Sequence, residues 1–358
     1  MHVPDGFINA PTSAVTGVVA AGAIAVSLRG ARRELDDRTA PLAGLVAAFI
    51  FAVQMLNFPV AAGTSGHLLG GALAAILVGP FTGILCVSVV LLMQGILFAD
   101  GGLTALGVNI TDMAIVTTVV SYAVFRALVK VLPRGRRSIT AAAFVAAVLS
   151  VPAAAVAFTF VYWIGGTTDV AIGQVATAMI GVHVLIGLGE AVITALTVGA
   201  VVAVRPDLVH GARGLQQKLQ LRVNGALVDV PAAEGARTAP VAARTSRRTL
   251  WATGLAASLV LAGFVSFYAS ASPDGLEKVA ADQGIDAKTE KHANAGSPLA
   301  DYGVKDVADA RLSGGLAGVI GVGTTVVAGS AVFWAVRRRR TADGDGTAGV
   351  SPSAVESA

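Results

Sequence analysis

The fold of this protein is decided by residues 40–99, which read APLAGLVAAFIFAVQMLNFPVAAGTSGHLLGGALAAILVGPFTGILCVSVVLLMQGILFA. This stretch contains no Lys, Arg, Asp or Glu, and residues 139–168 form a second uncharged stretch. The hydrocarbon layer of a bilayer is about 30 Å thick, and a helix needs about 20 apolar residues to cross it. The first stretch is therefore long enough for two or three spans and the second for one. The sequence predicts an all-α polytopic membrane protein.

The composition of the whole chain supports this class. Of 358 residues, 54% are hydrophobic and 13% are charged, whereas a soluble domain carries about 25% charged residues. These values exclude a soluble enzyme. A disulfide scaffold is excluded because Cys86 is the single cysteine, and a membrane β-barrel because its strands would alternate apolar and polar residues. The net charge of +4 does not indicate nucleic-acid binding, because the basic residues cluster at the ends of apolar runs, next to membrane lipid.

Apolar runs between breakers predict nine spans, of which residues 68–78 are too short to cross alone. They lie near 12–28, 40–57, 68–78, 81–98, 111–131, 139–163, 175–204, 249–269 and 313–336. Basic clusters follow the first, fifth, seventh and ninth spans, and such clusters stay in the cytoplasm. We therefore expect a bacterial plasma-membrane protein with its N-terminus outside and its C-terminus in the cytoplasm. The basic residues are Arg29, Arg32, Arg33, Arg38, Arg134, Arg136, Arg137, Arg205, Arg213, Lys218, Arg222 and residues 337–340.

The polar stretches divide the chain into four parts. Residues 1–204 form a seven-span module, and residues 205–248 read as a cytoplasmic linker. Residues 249–340 form a two-span hairpin that carries an outward-facing loop. The Gly/Ser/Ala-rich tail, residues 341–358, has the composition of a disordered segment.

The first two residues offer a metal chelate. We expect Met1 to be retained because His2 is bulky, so that its amine stays free. The amine, the His2 backbone amide and the His2 imidazole then close a five-membered and a six-membered ring in one plane. Planar nitrogen donors suit Ni(II) or Cu(II), whereas Mg and Ca prefer oxygen and Zn prefers a tetrahedron. A fourth donor is missing, and the leading candidate is His67, which lies in an outward Gly/Ser-rich loop of the apolar module.

Other polar residues in the spans have two open interpretations. His183 and Glu190 lie seven residues apart, on one helical face. They form either a gating or relay pair below the metal site or a structural pair that fixes helix packing. Ser65, Asn109 and Asp112 are candidates for a second shell around His67, together with Gln94 and Thr111. Helix capping by Thr111 is the plain alternative.

Four motifs carry a resemblance to a known family. They are residues 1–7 (MHVPDGF), 63–71 (GTSGHLLGG), 91–109 (LLMQGILFADGGLTALGVN) and 183–195 (HVLIGLGEAVITA). Together they resemble the CbiM/NikM family, the substrate-specific (S) components of energy-coupling factor transporters for nickel and cobalt. Residues 272–277 (SPDGLE) resemble the small two-span CbiN/NikN partner, so the chain looks like a fusion of both.

The resemblance implies a seven-helix S component that binds Ni(II) or Co(II) as transported substrate. Its ligands would be the Met1 amine, the His2 amide and imidazole, and His67. It also implies two kinds of partner, a transmembrane coupling (T) subunit and cytoplasmic ATPase subunits. ATP would act through those subunits, because the chain contains no Gly-x4-Gly-Lys-[Ser/Thr] phosphate loop.

Three functions remain open at this stage. A transporter subunit leads, with cobalamin synthesis as one use of imported cobalt. A membrane metal sensor or scaffold that binds without transporting is the alternative. An intramembrane enzyme is disfavoured because no His-Glu-x-x-His motif is present. Nickel and cobalt are not separated by the sequence. We expect the outward loop, residues 271–311, to cover the site without supplying a ligand.

Overall fold

The computed structural model describes residues 1–35, 40–61, 63–215, 220–223, 226–229 and 246–345. Within these ranges the chain is mainly helical, which confirms the predicted all-α membrane class. The helices are α1 Ala10–Glu34, α2 Ala40–Gln54, α3 Gly71–Val78, α4 Pro80–Met93, α5 Leu106–Asn109, α6 Thr117–Val131, α7 Arg136–Gly165, α8 Ile172–Val204, α9 Arg247–Gly263, α10 Gly275–Gln283 and α11 Ala310–Asp345.

Short irregular elements complete the chain. A π-helical turn, Gln94–Phe98, extends α4, and a second one, Ile110–Val116, joins α5 to α6. Two small antiparallel pairs are present, one of β1 with β2 and one of β3 with β4. The strands are β1 Phe58–Pro59, β2 Ser65–Gly66, β3 Gln220–Val223 and β4 Ala226–Asp229, and 3-10 turns occupy Pro206–Leu208, His210–Leu215, Val265–Tyr268, Ile285–Lys288 and Ala300–Tyr302.

Seven of the nine expected spans are helices long and apolar enough to cross a membrane, within the described ranges. The other two are shorter than predicted: α2 has 15 residues and α3 has eight. Both are almost wholly buried, so neither has to match the thickness of lipid. The segment 67–70 precedes α3 as irregular chain. It is buried inside the protein, where irregular backbone is tolerated.

The C-terminal helices pack on the first module rather than apart from it. α11 runs along α2, α9 contacts both α2 and α11, and α10 lies against α8. The contact of α11 with α2 is close, since a Cβ atom added at Gly321 would lie 2.1 Å from Cζ of Phe51. The hairpin and the module therefore share one helical bundle.

The predicted linker and the predicted tail lie only partly within the described residues. Half of the linker, residues 205–248, lies outside the described residues, and so do Arg38 and Lys218. Residues 341–345, the first part of the tail predicted to be disordered, are helical, because α11 continues to Asp345. Residues 346–358 lie outside the described part of the chain.

Glu34 joins the first span to the fourth at the end of the bundle remote from the N-terminus. Its Oε2 accepts hydrogen bonds from the backbone N–H of Thr82 (2.7 Å) and from the Thr82 hydroxyl (2.8 Å). Its Oε1 accepts from the N–H of Phe81 (3.2 Å). A carboxylate at a helix N-terminus satisfies free N–H groups and complements the helix dipole. Glu34 thereby fixes α4, whose opposite end reaches the N-terminal residues.

We predict that Glu34→Ala destabilises the folded protein by about 1–2 kcal/mol, the usual cost of losing a helix cap. Glu34→Gln keeps one acceptor oxygen and should lose less. The measurement is the thermal unfolding midpoint of the purified protein in detergent. Arg29→Ala, an exposed change on the same helix, is the control and should leave the midpoint unchanged. Equal losses for Glu34→Ala and Arg29→Ala would contradict the capping role.

Candidate metal centre

The first nine residues form an arm that inserts into the bundle. Met1 and Val3 are buried. The Asn109 side chain holds Val3 from both sides: its Oδ1 accepts from the Val3 N–H (2.7 Å) and its Nδ2 donates to the Val3 carbonyl (3.1 Å). The N–H of Gly102 donates to the same carbonyl at 2.8 Å. The arm is therefore held by its backbone, much as a strand is held in a sheet.

Asp5 and Gly6 turn the arm beneath the outer loop. Oδ1 of Asp5 accepts from the N–H (2.8 Å) and the hydroxyl (2.5 Å) of Thr104. The Asp5 carbonyl accepts from the N–H of Glu290 (2.9 Å). Gly6 has φ +88°, and a Cβ atom there would lie 2.2 Å from the Lys288 carbonyl. A glycine is required at this position both for the left-handed backbone and for the contact with the loop.

The amine of Met1 lies at the centre of the site. It is 2.6 Å from Nε2 of His67 and 2.7 Å from Oδ2 of Asp274. Nδ1 of His67 is 3.0 Å from the Leu68 carbonyl. Because a carbonyl only accepts, the His67 proton sits on Nδ1 and the lone pair of Nε2 faces the amine. The amine, the imidazole and the carboxylate thus converge on one point.

Asp274 is ionised in this setting. Burial acts to raise its pKa, but the charge of the Met1 amine and the hydrogen bond that this amine donates lower the pKa well below its usual range. Oδ2 of Asp274 also lies 3.5 Å from Nε2 of His67. The buried ammonium therefore has a carboxylate counter-charge, as a buried charge requires.

The imidazole of His2 lies beside that of His67, with ring centroids 5.0 Å apart and the rings nearly parallel. Nε2 of His2 is 3.1 Å from Oε1 of Gln94, and Nδ1 is 3.4 Å from Oδ2 of Asp100. Burial lowers the pKa of His2 to about 4, although Asp100 opposes the shift. The ring is therefore neutral at physiological pH, with one nitrogen lone pair free to bind a cation.

The structure brings together His2, His67 and Asp274, each offering one ligand atom within 4.8 Å of the others. These atoms border a cavity of about 700 Å³ between the arm and the outer loop. Imidazole and amine donors suit late first-row transition metals better than Mg or Ca. The arrangement is fit to hold one such ion.

The second-shell candidates Ser65, Asn109 and Asp112 lie in different parts of the site. Ser65 donates its hydroxyl to the Ser272 carbonyl (2.7 Å) and so holds the outer loop. Asn109 holds the arm rather than His67. Asp112 is buried, and within the described residues neither of its carboxylate oxygens has a hydrogen-bond partner. None of the three donates to or accepts from His67 in the described hydrogen bonds.

His183 and Glu190 are both fully buried on α8, but they are not bonded to each other. Nδ1 of His183 contacts the Met179 carbonyl (2.7 Å), and its Nε2 has no partner in the described chain. Glu190 accepts from the backbone N–H of Leu69 (2.6 Å) and of Gly70 (3.3 Å). Glu190 therefore supports the irregular segment that carries His67, which favours its structural interpretation.

Sequence reasoning missed three contributors to the site: Asp100, Asp274 and Tyr302. The Tyr302 hydroxyl donates to Oδ2 of Asp100 at 2.6 Å, and its ring stacks on Phe98 at 4.9 Å. Burial, and then the charge of Asp100, raise the pKa of Tyr302 well above its ordinary value, so it stays a donor. A sequence signal existed for Asp274, since Asp-x-x-Glu marks a capping box, but that signal locates a helix and not a ligand.

We predict that Asn109→Ala loosens the arm, because Val3 then loses two hydrogen bonds in a buried place. Amide hydrogen exchange at residues 3–7 should rise by about tenfold or more, since lost bonds of about 1–3 kcal/mol lower the local opening energy. Exchange is read by mass spectrometry on the purified protein. The control is Asn294→Ala, whose exposed amide contacts the Ile96 carbonyl. Unchanged exchange in Asn109→Ala would show that the arm is held elsewhere.

Comparisons with known proteins support a common origin. Residues 2–208 match the family described as cobalt uptake substrate-specific transmembrane region, and residues 248–338 match the PDGLE domain. A putative metal transport protein of Haloquadratum walsbyi is 39% identical over 209 residues, which cover 58% of this chain and 93% of that protein. A putative fused nickel transport protein of Archaeoglobus fulgidus is 40% identical over 232 residues, covering 64% and 75%. The crystal structure of a truncated transition metal transporter is similar with a TM-score of 0.50 and 27% identity, covering 57% of this chain and 99% of that one.

Proposed function

Because the chain belongs to the family of cobalt uptake substrate-specific transmembrane regions, we propose that it binds Ni(II) or Co(II) as substrate and passes the ion inward. The family consists of metal transporter components and not of enzymes. One observation carries the proposal: the buried Met1 amine lies 2.6 Å from Nε2 of His67. Without an ion, the ammonium donates a hydrogen bond to the Nε2 lone pair; once the amine has lost a proton, both nitrogens can offer a lone pair to one cation.

Four nitrogens form the proposed ligand set: the Met1 amine, the His2 backbone amide, Nδ1 of His2 and Nε2 of His67. With metal–nitrogen bonds of about 2 Å, neighbouring donors of a planar site lie about 2.8 Å apart. The 2.6 Å between the amine and His67 is close to this value. Gln94 adds support, because its carbonyl can accept a hydrogen bond from a protonated Nε2 of His2, which leaves Nδ1 free for the six-membered ring.

The direction of transport follows from the distribution of charge. Basic residues lie at the end of the bundle opposite the metal centre, among them Arg33 at the end of α1 and Arg136 at the start of α7. Under the positive-inside rule this end faces the cytoplasm. The metal centre then faces outward, where the ion is captured.

Energy for transport has to come from other subunits. The sequence contains no phosphate-binding loop, and none of its six lysines follows a glycine. We propose an energy-coupling factor arrangement, with a transmembrane coupling subunit and cytoplasmic ATPases. In this arrangement residues 1–204 bind the ion, and residues 249–340 supply the loop that covers it.

We predict that His67→Ala lowers nickel affinity by more than about 100-fold, since loss of an outer-shell partner alone costs 10–100-fold. Residues added before Met1 should do the same, because the amine becomes an amide. Affinity is measured on purified protein by competition with a chelator. N-terminal sequencing establishes which residue carries the free amine.

The matched control for this experiment is His210→Ala. His210 contacts the Tyr122 hydroxyl at the opposite end of the bundle, so its removal should leave affinity within a few-fold of normal. Full affinity after N-terminal extension would refute the amine as ligand. Equal losses in His67→Ala and His210→Ala would refute the location of the site.

Transport is separated from sensing by an uptake experiment. Cells that express this chain together with a coupling subunit and ATPases should accumulate radioactive nickel or cobalt. Cells that express the chain with an ATPase variant unable to hydrolyse ATP should not. Tight binding without uptake in both cell types would favour a sensor or scaffold over a transporter.

A further inference from the structure

We infer that Asp274, from the PDGLE unit, is a fifth donor to the transported ion, a carboxylate oxygen added to the four nitrogens. This inference rests on the proposed function. It also revises the expectation that the outer loop covers the site without supplying a ligand. The two units of the chain would then share one metal centre.

The position of the carboxylate is that of a ligand. Oδ2 of Asp274 lies 2.7 Å from the Met1 amine and 3.5 Å from Nε2 of His67. Neighbouring donors on one ion with bonds of about 2 Å lie about 2.8 Å apart, and the two distances lie on either side of this value. Asp274 is buried, so its oxygen faces the donors and not bulk water.

The two oxygens of Asp274 have separate partners. Oδ1 accepts from the N–H of Glu277 (2.8 Å), while Oε2 of Glu277 accepts from the N–H of Asp274 (2.8 Å). This reciprocal capping box starts α10 and fixes the side-chain rotamer. Oδ2 is left to face the site, so the helix cap positions the proposed donor.

The segment that carries Asp274 is tied to the segment that carries His67. The N–H of Ser65 donates to the Pro273 carbonyl (2.8 Å). Gly275 allows α10 to lie close to α8, because a Cβ atom there would lie 2.7 Å from Cδ1 of Ile186 and 3.2 Å from Cε1 of His183. The carboxylate is thus held by a rigid surface on the module and not by a loose loop.

The charge balance of the site also favours a carboxylate at this position. Neither an ammonium nor a protonated backbone amide offers a lone pair to a metal, so binding displaces one proton from the Met1 amine and one from the His2 amide, and both protons leave to water. The buried carboxylate that neutralises the ammonium then faces the cation, and the pocket keeps a counter-charge in both states. An oxygen above four nitrogens gives a five-coordinate ion, a geometry that admits Co(II) as well as Ni(II).

The test is nickel K-edge X-ray absorption of the purified full-length chain loaded with Ni(II) alone. The wild-type spectrum should be that of a five-coordinate ion. Asp274→Ser should change it to the edge feature of a planar four-coordinate ion and lower affinity by about 10–100-fold. Serine remains a good N-cap, so α10 stays folded while no oxygen reaches the ion. Asp274→Asn, also a good cap, is the second variant. Its edge spectrum and its affinity should lie between those of the wild type and those of Asp274→Ser.

The control is Asp282→Asn, on the same helix, where the exposed carboxylate pairs with Lys278. It should keep the wild-type spectrum and affinity. A planar four-coordinate spectrum in both wild type and Asp274→Ser, at similar affinity, would overturn the fifth donor and leave the four-nitrogen site standing. A wild-type chain that binds neither Ni(II) nor Co(II) would overturn the proposed function and this inference together.

Discussion

The rest of the structure depends on the burial of one amine. An ammonium taken out of water costs several kcal/mol unless a counter-charge and hydrogen bonds replace its hydration. Met1 finds both in His67 and Asp274, which lie 66 and 273 positions away along the chain. Three distant segments must therefore meet at one point: the arm, the chain after β2 and the start of α10. The helices serve to bring these segments together within the bundle.

Irregular backbone inside a membrane protein has to satisfy its own polar groups. The segment 67–70 does so through side chains from two helices. Glu190 on α8 accepts from the N–H of Leu69 and Gly70, and Gln54 on α2 donates to the Leu69 carbonyl at 3.0 Å. Buried polar side chains in spans usually mark functional sites. Here they act on the backbone that holds a donor, which connects the packing of the spans to the geometry of the metal centre.

What the sequence predicted well was local or periodic. Uncharged runs located the spans, whereas the chelate of Met1 and His2, inferred from adjacent atoms in the chain, stays a prediction. The missed features are long-range. Glu190 bonds the backbone 121 positions away although its spacing pointed to His183. The sequence around Asp274 shows a capping-box pattern, but a helix exposed to water would show the same pattern. Such pairings depend on how helices pack, and no spacing rule reports that packing.

The PDGLE unit contacts the His67 segment from two directions. Asp274 reaches the His67 imidazole from the outer side. From behind, α9 and α11 pack along α2, whose last residue, Gln54, donates to the Leu69 carbonyl. A shift of the hairpin against the module must therefore move the carboxylate, the helix that braces segment 67–70, or both. In a bundle packed this closely, changes are concerted and not local. The position of the hairpin therefore affects the geometry of the proposed metal centre.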